Sequence, residues 1–129
     1  MTYLSIDYGS KHIGLALGDD EIKIASPFRI FENKGVNQTF DHLKTVIKEE
    51  KVQAIVVGVP TIGTADMRQR TEVEEFVATL TKEVGMPVHM YDESFSSKEA
   101  QKMLRDTPEK KDHAVAAMLV LQSYFDSLR

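Results

Sequence analysis

Asp7 closes an apolar run, Tyr3-Leu4-Ser5-Ile6, and is followed at once by Tyr8-Gly9-Ser10 and a second apolar run from Ile13 to Leu17. A carboxylate at the rim of a buried strand, beside a glycine turn, is placed to hold a cation or a metal-bound phosphate. The plain alternative is a turn-forming aspartate that bonds its own backbone. A second acidic rim follows another short apolar run, with Asp92-Glu93 directly after Val88-His89-Met90-Tyr91. Acids at the ends of separate strands are the pattern that a cation site on a sheet edge would leave in a sequence.

The elements that must position these acids can be read from periodicity. Tyr3 to Tyr8, Ile13 to Gly18 and Ile22 to Phe31 are β-favouring runs, and the short connectors between them predict an antiparallel meander. Pro27 should end or disturb the third strand, because it cannot donate to a ladder. Asn37 is the expected cap of a helix carrying Phe40, Leu43 and Ile47, and Ala54 to Val57 reads as a buried strand ended by Gly58-Val59-Pro60.

Beyond a polar segment, Val73, Phe76, Val77, Leu80 and Val84 mark a second amphipathic helix, closed by Gly85 with Pro87 just after it. Ser96 and Glu99 have capping-box spacing for a further helix through Leu104. Ala114, Ala117, Leu121, Tyr124 and Leu128 share one face of a last helix. The order predicts an α/β fold, a mixed sheet of three antiparallel strands plus two parallel crossover strands with helices on both faces. Ligands of such sheets collect outside the carboxyl ends of the parallel strands, where Asp7, Gly58 and Asp92-Glu93 would all lie.

Composition narrows the class. The 129 residues fit one domain spanning 1–129, and 42% hydrophobic with 28% charged residues is a globular balance that argues against disorder. With no cysteine there is no disulfide scaffold and no thiolate site, and no run approaches the ~20 apolar residues of a membrane span. A cytoplasmic protein without a signal peptide or membrane partner is expected. The formal charge of -4 argues against a protein that coats nucleic acid by bulk electrostatics, yet leaves room for a local basic patch.

Four segments carry a family resemblance. Asp7-Tyr8-Gly9-Ser10-Lys11-His12-Ile13-Gly14-Leu15-Ala16 resembles the opening motif of the YqgF/RuvX proteins, and Val57-Gly58-Val59-Pro60 resembles their second. Tyr91 to Ala100 is similar to their Asp-Glu motif, and Ala116 to Tyr124 to their closing helix. The resemblance spans essentially the whole chain. It implies a ribonuclease H-like fold and a metal-dependent endonuclease for the 5' end of pre-16S rRNA in ribosome biogenesis. The family is also described as Holliday-junction-resolvase-like.

Two positions depart from the pattern. Ser94 stands where the family usually has arginine, and His113 stands where it normally has an acid, with Asp112 one step earlier. Histidine suits manganese and other transition metals, whereas magnesium prefers oxygen, so either His113 is a ligand with altered metal preference or Asp112 turns inward.

The chemistry that the resemblance implies follows from charge. In-line attack on a phosphodiester builds negative charge on the attacking and leaving oxygens, and two cations about 3.5 to 4 Å apart can stabilise both. Asp7 is the expected bridging ligand of Mg2+ or Mn2+, Glu93 a second, and Asp112 or His113 the third. Ser10, Lys11, Arg68, Arg70, Lys110 and Lys111 are the candidate phosphate contacts, against the plainer reading of solvated charge.

The expected partners are precursor rRNA, ribosomal precursor particles and, as an alternative, branched DNA. Two other classes stay open. One is a non-catalytic nucleic-acid-binding or assembly factor. The other is a sugar-kinase-like ATPase, against which a single domain of this size argues, since such enzymes close two domains on the nucleotide.

Overall fold

The computed structural model describes residues 1–60, 67–93 and 113–128. Five strands form one sheet in the order β3-β2-β1-β4-β5. They are β1 (Thr2–Tyr8), β2 (His12–Asp19), β3 (Ile24–Glu32), β4 (Ala54–Pro60) and β5 (Val88–Glu93). Helix α1 (Val36–Glu50) connects β3 to β4, α2 (Met67–Val84) precedes β5, and α3 (His113–Asp126) ends the described chain.

The predicted architecture is what forms. β1 to β3 are an antiparallel meander, and β4 and β5 join in parallel, with Ile6 opposite Val57 and Val57 opposite Met90. β1 is the central strand, so Asp7 sits at the carboxyl end of the middle of the sheet.

Strand alternation sorts the side chains into two cores. Leu4, Ile6, Ile13, Leu15, Ile55 and Val57 face α1 and α2, where Phe40, Leu43, Phe76 and Leu80 complete the larger core. Tyr3, Ala25, Ala54 and Val56 face α3 and meet Val120, Leu121 and Phe125. Small residues dominate the second face. On β2 they are Gly14, Ala16 and Gly18, and a Cβ at Gly18 would stand 2.8 Å from the Phe125 ring. α3 can therefore lie close to the sheet, as a glycine without a side chain permits.

Five local expectations are corrected. β4, expected to end at Val57, continues through Gly58 and Val59 to Pro60, which are register partners of Tyr91, Asp92 and Glu93. β3 begins at Ile24, because residues 20–23 form the turn, and it runs through Pro27 to Glu32. The register shifts between Leu15 and Ala16, whose partners are Arg29 and Pro27, so a bulge on an outer strand absorbs the missing N–H.

Asn37 does not cap α1. The helix starts at Val36 after Gly35, whose φ of 111° only glycine adopts easily. Asn33 organises that approach, donating from Nδ2 to the Gly9 carbonyl at 2.9 Å and accepting from the Gly35 N–H at 3.1 Å.

The buried stripe of α3 is Ala114, Ala117, Val120, Leu121 and Phe125, and Leu128 is 41% exposed beyond the helix end. The stripe turns because Phe125 fills the space over Gly18. β5, expected to stop at Tyr91, continues through Asp92 and Glu93, since Val59 and Pro60 supply their register partners. Gly85, with φ 63°, follows α2 as predicted. The helix expected over Ser96 to Leu104 lies outside the described residues.

Candidate active site

Asp7 and His113 are 106 positions apart in sequence and touch. The Nδ1 of His113 lies 2.8 Å from Oδ2 of Asp7, and the two side chains are 22% and 17% exposed. Asp7 ends the alternation Tyr3, Ser5, Asp7 on the α3 side of β1, and His113 is the first described residue of α3. The pair sits at the amino end of that helix, where unsatisfied N–H groups favour negative charge.

Three contacts set this meeting. Gly14 pairs with Asp7 across β1 and β2, and a Cβ on it would fall 2.1 Å from the His113 carbonyl carbon. The buried Ser5 hydroxyl donates to the Ala117 carbonyl at 2.8 Å, pinning α3 one turn further along. In the hairpin, the Gly9 N–H donates to the His12 carbonyl at 3.0 Å, and a Cβ on Gly9 would come 3.3 Å from Cε1 of His113. Glycine at that position leaves room for the imidazole.

His12 extends the cluster. Its ring stacks on that of His113 with centroids 5.8 Å apart and planes 29° apart. His12 is exposed in the hairpin, and its residue type alone does not indicate this contact. The available signal was the alternation Gly14-Leu15-Ala16-Leu17-Gly18, whose small residues mark the strip on which a helix beginning near His113 must lie.

Among the other expected ligands, Glu93 ends β5 with its backbone opposite Pro60. Asp112 lies outside the described residues, as do Lys110, Lys111 and Ser94. Asp92 belongs to the α2 side of the sheet, where Arg70 Nη1 approaches its carboxylate at 3.6 Å. Arg70 also meets Glu74 at 3.4 Å, so this candidate phosphate contact is engaged with acids beside α2. Ser10 and Arg68 share a cleft of about 420 Å³ with Tyr8, Gln69 and Glu72. Lys11 is exposed in the hairpin, its carbonyl accepting the Asn33 N–H at 2.9 Å.

The described residues include no group of three histidine, aspartate or glutamate side chains that alone could hold a metal ion. The Asp7–His113 pair nevertheless suits part of a divalent-cation site. Neighbouring ligands held at about 2.1 Å and right angles stand roughly 3 Å apart, close to the 2.8 Å between this oxygen and nitrogen. An oxygen and a nitrogen ligand together suit manganese or zinc better than magnesium, which prefers oxygen.

Comparison with known proteins gives a consistent picture. The family model described as "RuvX: Holliday junction resolvase" matches residues 1–127. A protein of Koribacter versatilis described as "Putative pre-16S rRNA nuclease" is 35% identical over 95% of this chain and 85% of its own length. Proteins with the same description from Maridesulfovibrio salexigens and Dictyoglomus turgidum are 34% and 35% identical, covering 96% and 99% of this chain and 97% and 96% of theirs. Among solved structures, Thermus thermophilus RuvC in complex with Holliday junction substrate aligns over 98% of this chain and 95% of its own, with TM-score 0.66 and 19% identity. The Fowlpox virus Holliday junction resolvase aligns over the full length of both chains with TM-score 0.62 and 13% identity. At these identities the likeness shows the fold, and the ribonuclease H-like sheet is the architecture seen here.

Proposed function

The chain belongs to the RuvX family, and from that membership we propose that it is a divalent-metal-dependent nuclease whose substrate is the 5' region of precursor 16S rRNA. The observation that carries the reading is the Asp7–His113 contact of 2.8 Å at the carboxyl end of the central strand. Relatives described as pre-16S rRNA nucleases, near 35% identity and almost fully overlapping, support the substrate.

Asp7, Glu93 and either Asp112 or His113 are the residues that would hold the cations. β5 is two strands from β1, roughly 10 Å at ordinary sheet spacing, so Asp7 and Glu93 would act on one phosphate from either side. When bound, divalent cations supply water activation and stabilise charge on the attacking and leaving oxygens.

The residues themselves set orientation. Asp7 presents its carboxylate at the helix end, Nδ1 of His113 stands against one of its oxygens, and the missing side chain at Gly9 leaves room for the imidazole. Ser10 and Arg68, which share a cleft, and Lys11 in the hairpin would steady the flanking backbone, with Lys110 and Lys111 as further candidates. No helix among the described residues is long and apolar enough to cross a membrane. In this reading the protein acts in the cytoplasm on ribosomal precursor particles.

A second reading is cleavage of branched DNA, favoured by the description of the matching family as a Holliday junction resolvase. One experiment separates the two. A 5'-extended 16S rRNA fragment and a four-way DNA junction are incubated side by side with Mg2+, Mn2+ or chelator, and Asp7→Asn serves as control. Metal-dependent cutting of the RNA alone supports the first reading, and cutting of the junction alone the second. If neither is cut while wild-type and Asp7→Asn bind RNA equally, the protein is a binding factor and the nuclease assignment fails.

A further inference from the structure

Next to the hairpin that carries the candidate active site, the structure holds a second cleft that none of the roles above uses. It encloses about 270 Å³ between the end of β3 and α1, and Phe31, Glu32, Lys34, Gln38 and His42 line it. Drug-sized ligand sites begin at about 300 Å³, so this space suits a single planar group.

One wall is an aromatic platform. The His42 and Phe31 rings stack with centroids 4.1 Å apart and planes 9° apart, and Phe31 packs inward against the main core. Arg29 stands beside the platform, with Nη1 3.5 Å from Nε2 of His42 and its guanidinium 4.6 Å from the centre of the Phe28 ring. Side chains already stacked lose little freedom when a ligand arrives. The exposed Lys34 and Arg29 contribute positive charge against the single lining carboxylate, Glu32.

The cleft is tied mechanically to the catalytic rim. Glu32 pairs with His12 across β2 and β3, the Asn33 N–H donates to the Lys11 carbonyl, and the Asn33 side chain donates to the Gly9 carbonyl. The platform lies on the α1 face of the sheet and Asp7 on the α3 face, so a polymer that reaches both would cross the sheet rim at the Gly9–His12 hairpin.

Resting on the nucleic-acid reading above, we propose that this cleft is a binding subsite for an unpaired nucleotide of the substrate, flanking the position of cleavage. The base lies on the His42–Phe31 rings, and Lys34 and Arg29 meet the adjoining phosphates. Aromatic stacking tolerates any base, because each has a π face, and it requires that the base be free of a duplex. The enzyme would therefore choose sites beside single-stranded segments.

The test measures binding without cleavage. Fluorescence anisotropy in chelator follows a short labelled single-stranded RNA and the same sequence as a duplex, with wild type, His42→Ala, His42→Phe and Lys34→Ala. The expected result is that His42→Ala weakens single-strand binding by about fivefold to a hundredfold, the range for losing one stacked base. His42→Phe should keep the affinity within about twofold, and duplex binding should be unchanged by either substitution. Lys34→Ala, at an exposed position that leaves the fold intact, should lower the slope of log affinity against log salt by about 0.7.

Equal single-strand affinity for wild type, His42→Ala and Lys34→Ala, in a protein that still cleaves RNA, overturns this subsite and leaves the nuclease reading standing. Loss of binding by His42→Phe as large as by His42→Ala overturns the stacking role. Failure of the wild type to bind any RNA overturns both.

Discussion

Gly14 bears directly on the backbone of His113: a side chain on this glycine would place its first carbon 2.1 Å from the His113 carbonyl carbon. Because Gly14 is also the register partner of Asp7, one β-ladder pair carries both the carboxylate and the floor on which its partner's helix begins. The Asp7–His113 contact is thus a consequence of backbone packing.

Gly14→Ala should push the start of α3 away from β2. The expected outcome is a loss of stability of about 1–3 kcal/mol, the usual cost of overpacking, with RNA cleavage reduced more than stability alone explains. Urea denaturation and cleavage rates on the same preparation check it. Wild-type behaviour in both would show that α3 can shift without disturbing Asp7.

Ser5→Ala removes a buried hydroxyl that donates to the Ala117 carbonyl at 2.8 Å. The carbonyl keeps its place in the helix, so the loss should be near 1 kcal/mol, the net value of an ordinary hydrogen bond. Denaturation midpoints measure it, and activity should fall far less than for Gly14→Ala. A Ser5→Ala protein as inactive as Gly14→Ala would mean that this hydrogen bond, rather than the glycine contact, sets the helix position.

Asp7→Asn keeps the shape of the side chain and removes its charge. Cleavage should drop on the order of a hundredfold or more, the scale of losing one preorganised electrostatic contact, while the fold survives. His113→Asp replaces nitrogen by oxygen at the neighbouring position, and should raise the rate with Mg2+ relative to that with Mn2+. Metal titrations of cleavage by the two proteins decide it, and an unchanged Mg2+/Mn2+ ratio would remove His113 from the ligand set.

Stability should fall on mild acidification through His42. Burial first, and then the Arg29 guanidinium, hold its imidazole below its ordinary value of 6.5, with Glu49 acting in the opposite direction. As pH falls, the unfolded chain takes up this proton before the folded one does, so the unfolded state gains protons and stability drops. The contribution is whole above about pH 6.5 and is lost as pH falls through the folded value. Urea midpoints from about pH 7.5 to about pH 5 should decline more steeply for wild type than for His42→Phe. Parallel declines would locate the effect elsewhere.

Much of the fold was legible in the chain because it depends on local spacing. Alternating apolar residues mark β1 and β2, a continuous apolar run marks β4, and Val73, Phe76, Val77 and Leu80 recur at the helical period along α2. Short connectors allowed only a meander. Where one local rule met a competing tertiary one, the tertiary one won. Pro27 stayed in β3 because an outer strand tolerates a bulge, and Asn37 lost the helix start to Gly35 because Asn33 was already bonded to the hairpin.

The candidate site divides in the same way. Asp7 and the Asp92-Glu93 pair could be placed at a rim from sequence, since acids directly after an apolar strand stand there whatever the rest of the chain does, and the family resemblance singled out Glu93 within the pair. That His113 meets Asp7, that His12 stacks beside it, and that Asp92 turns instead to Arg70 on the far side of the sheet were decided only by tertiary structure. Those relations depend on how close α3 can approach β2, and that distance is set by side chains absent at Gly14 and Gly18, read against a helix about a hundred residues away. Sequence spacing records which face a residue takes along its own element, whereas contact between elements is fixed by the volume left between their surfaces.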